Sequence, residues 1–197
     1  MAAACESNGI KAIRELLRDD GGLREVPTGA TTHWMGRVFE AQTVGVRLPD
    51  GTEGEREIAW HHGGCGVCAV IDGRMCLVRQ YRLAMGAVTL EIPAGRREEG
   101  ESPEDCAARE LGEETGLVAE RLELVARAAG SPGFTSETTC IYLAHGLSPH
   151  AAHPDEGELV DVHWISVRDV VEAILEGLIC DSKTIIAAQA ALIRGLA

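Results

Sequence analysis

The stretch from Gly95 to Leu117 constrains this chain more than any other. Ser102 is an N-cap candidate, Pro103 suits the first helical position, Asp105 sits at the third, and Gly116 fits the C-terminal stop. The spacing therefore predicts a helix over about 103–115. On that helix Glu110, Glu113 and Glu114 stand at i, i+3 and i+4 and project from one face. Carboxylates so placed repel one another, so a cation belongs among them. Arg109 offsets part of the charge, and a hard divalent ion with oxygen ligands does so better. Gly95 ends a strand-like run and lets the backbone bend toward the helix, which brings nearby carbonyls to the same face. A solvated acidic face would account for the glutamates. It would not account for the glycines, the arginine and their joint spacing.

Around this helix the pattern alternates. Residues 9–18 carry apolar side chains at helical spacing and predict a short helix. VFEAQTVGVRL and EREIAW, between Trp34 and Trp60, read as strands joined by a Pro49-Asp50-Gly51-Thr52 turn. GVCAVI and MCLVRQYR predict a hairpin about Asp72-Gly73, and the strand VTLEI runs into Pro93-Ala94-Gly95. LELVAR, TCIYLAHGL and LVDVHWI follow as strands, and helices near 167–177 and 182–194 close the chain. Strands interspersed with helices predict an α/β fold with a mixed sheet covered by helices.

The net charge of −13 argues against a nucleic-acid surface, which would be basic. An acidic protein acting on a phosphorylated substrate needs cations between its carboxylates and the phosphate oxygens. No stretch approaches the roughly 18 apolar residues of a membrane span, and the N-terminus lacks the basic head and apolar run of a secretory signal. A cytoplasmic location is the expectation. The seven cysteines, an odd number lying mostly in apolar runs, read as reduced core residues. Cys65 and Cys68 form a lone C-x-x-C beside His61 and His62, but a structural zinc site wants a second ligand pair, and no other C-x-x-C exists.

The segment from Gly95 to Leu117 resembles the Nudix box, G-x5-E-x7-R-E-U-x-E-E-x-G-U with U apolar, at every specified position. A chance match is on the order of 10⁻⁹ per window at average residue frequencies. The resemblance implies a Nudix fold, with a mixed β-sheet between helices, the box as loop–helix–loop, and N-terminal antiparallel strands. It implies Mg²⁺ or Mn²⁺ held by Glu110, Glu113 and Glu114 with the Ala94 carbonyl, and hydrolysis of a nucleoside diphosphate linked to a further group. Arg109 and Glu113 belong to its catalytic set.

Beyond the box, Ser131-Pro132-Gly133-Phe134-Thr135-Ser136-Glu137 is similar to the ADP-ribose pyrophosphatase branch, in which Pro132 and Gly133 line the substrate site. Read alone, Pro132-Gly133 is equally a plain turn. Arg56-Glu57, and Arg82 followed by Glu91, are similar to that branch's substrate-binding segments. Asp155-Glu156-Gly157-Glu158 resembles the loop carrying its catalytic base, which implies Glu156 in that role and Glu158 as the fallback or a metal ligand. In this branch the N-terminal strands pair across a two-fold homodimer. Residues 1–60 are accordingly expected to form a helix and dimerising strands, and 61–197 the hydrolase domain. Trp34 or Trp60 would stack on the base, or serve as interface or core. The expected partner is a nucleotide sugar, with no nucleic acid and no membrane. The competing readings are a hydrolase of UDP-glucose or GDP-mannose, a hydrolase of oxidised nucleoside triphosphates, and a catalytically silent ADP-ribose-binding module. The last would have lost box glutamates, and none is lost here. Gly112, at a free position in mid-helix, costs about 1 kcal/mol relative to alanine and removes no ligand.

Overall fold

The computed structural model describes residues 7–18, 20–149 and 161–197. It divides into two units, Met1–Ala59 and Trp60–Ala197. The first holds α1 (Asn8–Arg18) and the antiparallel pair β1 (Val26–Met35) and β2 (Phe39–Arg47), with β3 (Glu53–His61) completing a sheet of order β1-β2-β3. The predicted turn forms between β2 and β3: the Gly51 N–H donates to Leu48 O at 2.9 Å, and Asp50 Oδ1 accepts from the Thr52 N–H and hydroxyl at 3.0 and 2.7 Å. All ten residues of β1 are exposed. The strand went unread in the sequence because it contains Pro27 and Gly29 and has no alternating buried face to give it a period of two.

The second unit contains β4 (Gly64–Cys68), β5 (Val70–Ile71), β6 (Arg74–Arg82), β7 (Ala87–Glu91), β8 (Ala94–Arg96), α2 (Pro103–Thr115), β9 (Leu117–Ala129), β10 (Thr138–Pro149), β11 (Asp161–Ser166), α3 (Val167–Leu175) and α4 (Ser182–Ile193). The mixed sheet that the sequence predicts forms, and a second, wholly antiparallel sheet stands beside it. One has the order β8-β4-β10-β9, with β4 and β10 parallel, and the other has the order β11-β6-β5 with β7 also on β6. The run read as a single strand, GVCAVI, breaks at Ala69, whose carbonyl turns to accept from the Cys76 N–H at 2.9 Å. Asp72 and Gly73, at φ 48° and 73°, then make the tight turn between β5 and β6.

Side-chain alternation assigns the two faces. Cys65, Val67, Cys76, Cys140 and Tyr142 pack with Cys106, Ala107 and Leu111 of α2, whereas Cys68, Met75, Leu77, Ile141 and Leu143 pack with α3 and α4. The strands thus lie between α2 and the two C-terminal helices, the helix–sheet–helix layering expected of the fold. Every residue of β4 is buried because both its faces are covered. Gly66 within it is a packing requirement, since a Cβ there would lie 2.8 Å from Ile92 Cδ1. Burial of this strand also answers the C-x-x-C question. The Cys65 side chain faces α2 and Cys68 faces α4, where its thiol lies 3.6 Å from Ala187 O, so the pair points to opposite sides of one strand. No helix is long and apolar enough to cross a membrane among the described residues.

Candidate active site

α2 begins and ends as its sequence dictates. Ser102 Oγ accepts from the Asp105 N–H at 3.1 Å, Pro103 occupies the first turn, and Gly116 at φ 66° closes the last turn by donating to Gly112 O at 2.9 Å. Cys106, Ala107 and Leu111 bury its inner face. That docking fixes the rotation of the helix, so Glu110 and Glu114 turn inward and are only 8 % and 5 % exposed.

Two glutamates meet the strand–loop segment that precedes the helix. Glu114 Oε2 accepts from the Ala94 N–H at 2.9 Å. The Glu110 carboxylate lies against Gly95, where an added Cβ would be 2.0 Å from Oε1, so any side chain at 95 would expel it. Arg109 then gathers the remaining charge. Its Nη1 donates to Glu110 Oε1 at 2.7 Å and Glu113 Oε2 at 2.8 Å, its Nε donates to Glu101 Oε1 at 2.9 Å, and its Nη2 donates to Arg96 O at 3.1 Å. Hydrogen bonding from Arg109 holds the Glu101 carboxyl below the usual carboxylate range, and the Glu101 partner in turn raises the guanidinium. Glu101 Oε2 also accepts from the Glu98 N–H at 2.9 Å, and Arg97 Nη2 reaches Glu101 O at 2.6 Å, so the loop from β8 to α2 closes on this one ion pair.

Among the described residues no three His, Cys, Asp or Glu side chains converge at ligand distance, because Arg109 stands between Glu110 and Glu113 while Glu114 is turned to Ala94. The donor set nonetheless fits a hard divalent cation. It consists of carboxylate oxygens on one helix face, two of them largely withdrawn from solvent, beside a glycine that leaves them room.

Arg82 and Glu91 bind each other. The guanidinium forks onto the carboxylate, Nε to Oε1 at 2.8 Å and Nη2 to Oε2 at 2.7 Å. Glu91, 3 % exposed, also accepts from Lys183 Nζ at 2.5 Å and Thr89 Oγ1 at 2.7 Å. Burial would push its carboxyl up, but Arg82, Lys183 and Thr89 together outweigh that and hold it at about 2. Lys183 also donates to Asp181 Oδ1 at 2.8 Å, and Asp181 Oδ2 caps α4 by accepting from the Thr184 N–H at 3.0 Å. Asp181, Lys183 and Thr184 were missed in the sequence. They sit in an ordinary helix start some ninety positions from Glu91 and Ile92, and nothing local signals the contact.

Pro132 and Gly133 form a turn in which the Phe134 and Thr135 N–H groups both donate to Ser131 O at 3.1 Å. Ser136 ties this loop to His61, accepting from its N–H at 2.8 Å, a second contact the sequence did not reveal. Trp34, Arg56 and Glu57 belong to the first unit. There Arg56 pairs with Glu25 and donates to Glu55 O, and the half-exposed Trp34 ring lies 4.9 Å from that of Phe39. Glu156 and Glu158 lie outside the described residues.

Residues 60–185 match the model of the NUDIX domain family. The chain is 42 % identical over 159 residues to a methanol dehydrogenase activator of Bacillus methanolicus, a match spanning 79 % of this chain and 86 % of that one. It is 38 % identical over 159 residues to an ADP-ribose pyrophosphatase of Bacillus subtilis, with the same coverage of 79 % and 86 %. An ADP-ribose pyrophosphatase of Mycobacterium tuberculosis is 34 % identical over 166 residues, 82 % of this chain and 79 % of that one. A crystal structure of an ADP compounds hydrolase superposes with a TM-score of 0.71 over 87 % of this chain and 95 % of its own, at 20 % identity, and so shares the fold.

Proposed function

The chain belongs to the Nudix family of pyrophosphohydrolases, and on that premise we propose that it hydrolyses the pyrophosphate bond of ADP-ribose to give AMP and ribose 5-phosphate. The carboxylate face of α2, with Glu110 and Glu114 buried against Gly95 and Ala94, carries the reading. The two ADP-ribose pyrophosphatases at 38 % and 34 % identity support the choice of substrate.

Nudix hydrolases generally need a divalent metal. Mg²⁺ or Mn²⁺ held by Glu110, Glu113, Glu114 and the Ala94 carbonyl would neutralise phosphate oxygens, orient an attacking water and lower its pKa. Arg109 is a positioning residue: by joining Glu101, Glu110 and Glu113 it fixes where the helix carboxylates stand relative to the loop. Arg82 acts through Glu91, orienting the strand that leads into Ala94. Pro132 and Gly133 contact the nucleotide sugar; for Arg56, Glu57 and Trp34 that role is what the resemblance to the ADP-ribose pyrophosphatase branch implies. Glu156 is the general base, because carboxylates drawn toward a cation are poor proton acceptors. Glu158 is the alternative. The exposed apolar side chains of the first unit, Ile13, Leu16, Leu17, Trp34 and Met35 among them, support association into a two-fold homodimer.

The test is a substrate panel with Mg²⁺ or Mn²⁺ and identification of products by mass. ADP-ribose should lead UDP-glucose, GDP-mannose and nucleoside triphosphates in kcat/KM. A triphosphate preferred by about tenfold, a clear 1.4 kcal/mol of transition-state discrimination, overturns the substrate assignment. Similarity to the methanol dehydrogenase activator favours a second reading, in which the chain activates a dehydrogenase. Adding the chain to a methanol dehydrogenase assay tests the second reading: a faster dehydrogenase supports it, and an unchanged rate beside ADP-ribose cleavage rules it out.

A further inference from the structure

The segment Ile92-Pro93-Ala94 joins β7 to β8 and crosses from one sheet to the other. Its backbone groups are held by three separate elements. The Ile92 N–H donates to Thr184 Oγ1 of α4 at 2.8 Å, Pro93 has no N–H, Pro93 O accepts from the Val67 N–H of β4 at 2.9 Å, and the Ala94 N–H donates to Glu114 of α2. Ile92 and Thr184 are fully buried, so no water substitutes for that first bond.

The Thr184 hydroxyl is directional because its own proton is committed. It donates to Asp181 Oδ2 at 2.5 Å, which leaves its lone pairs to Ile92. The other oxygen of Asp181 takes Lys183 Nζ, and the same ammonium reaches Glu91. The first turn of α4 therefore grips two consecutive residues of the chain, Glu91 by its side chain and Ile92 by its backbone. Two residues further on lies Ala94, whose N–H orients the buried Glu114 carboxylate.

We infer that Thr184, supported by Asp181 and Lys183, is a positioning residue that sets the place of the Ala94 backbone and through it the affinity of the α2 carboxylate face for a divalent cation. The inference rests on the metal-dependent reading above. Partners of this kind, which hold the groups around an ion without touching it, typically change metal affinity by ten- to a hundredfold.

The experiment is a Mn²⁺ titration of substrate-free, full-length protein, with free aqueous Mn²⁺ read by electron paramagnetic resonance. Thr184→Val keeps the shape of the side chain and removes both hydrogen bonds; it is expected to weaken Mn²⁺ binding about tenfold. Thr184→Ser keeps the hydroxyl and should stay within about threefold of the wild type, and kcat of Thr184→Val should recover as Mn²⁺ is raised. A purely structural role would lower Tm in Thr184→Val while leaving the Mn²⁺ affinity of the folded protein unchanged, and that result overturns the inference. If Thr184→Val does not fold, Lys183→Met carries the test, with weakening on the order of fivefold expected and unchanged affinity overturning it. Wild-type protein that binds no Mn²⁺ overturns the metal reading itself, a result distinct from equal binding by wild type and variants.

Discussion

The carboxylate of Glu110 occupies the space that any side chain at residue 95 would need, so Gly95 and Glu110 hold their places by mutual exclusion. Gly95→Ala should push Glu110 off the strand end and with it the acidic face of α2. Displacements of about 1 Å at a reacting centre cost on the order of 10² in rate, and overpacking of this kind costs roughly 1–3 kcal/mol in stability. Steady-state kinetics beside calorimetry should therefore show kcat falling about a hundredfold in a protein that still unfolds cooperatively.

Arg109 pairs with Glu101, Glu110 and Glu113 at once, and it is partly withdrawn from water. Arg109→Met leaves three carboxylates without it and should destabilise the fold by roughly 2 kcal/mol, a figure reduced for solvent screening. Arg109→Lys should recover less than half of that, because an ammonium has no planar fork to span Glu101 and Glu113 together. Urea unfolding of both variants checks the ordering.

Glu91 makes stability depend on pH in a defined direction. Its carboxyl is held at about 2 in the folded protein against 4.5 ordinarily. The stabilisation is fully present above about pH 4.5 and is lost as pH falls toward 2. Glu91→Gln should lower stability at neutral pH and flatten the fall between those values. Chemical denaturation from pH 5 to pH 2.5 measures the slope; equal slopes in variant and wild type contradict the assigned ion pair.

The thiols divide by depth. Burial pushes Cys68 and Cys76 up to about 12, whereas Cys180 is exposed. Brief iodoacetamide treatment of native protein followed by peptide mapping should label Cys180 and spare Cys68 and Cys76. Modification of either buried thiol before unfolding contradicts the two-faced burial of the central strands.

What was legible in the sequence follows from what is local. The box helix is written out between Ser102 and Gly116, caps included, and its three glutamates fall on one face by spacing alone. The break at Ala69 was not legible, because an unbroken apolar run looks the same whether it serves one buried strand or passes between two sheets. The grip of Lys183 and Thr184 on Glu91 and Ile92 was hidden for a different reason: it joins residues 92 apart, and polar residues at a helix start ordinarily need no distant partner. Arg82 and Glu91 were read as substrate contacts from similarity, and their mutual bidentate pairing emerges only when β6 and β7 are set side by side.

If the glutamates of α2 support metal-dependent cleavage of ADP-ribose, removal of the cation or of one glutamate should stop it. The initial rate of AMP and ribose 5-phosphate formation is followed for wild type and Glu114→Gln with Mg²⁺ or Mn²⁺, and again after EDTA. The account predicts rapid cleavage by the wild type, abolished by EDTA and restored by the added cation, with Glu114→Gln folded and slower by roughly 10²–10⁴. Undiminished hydrolysis in EDTA, or a Glu114→Gln rate equal to that of the wild type, would contradict it.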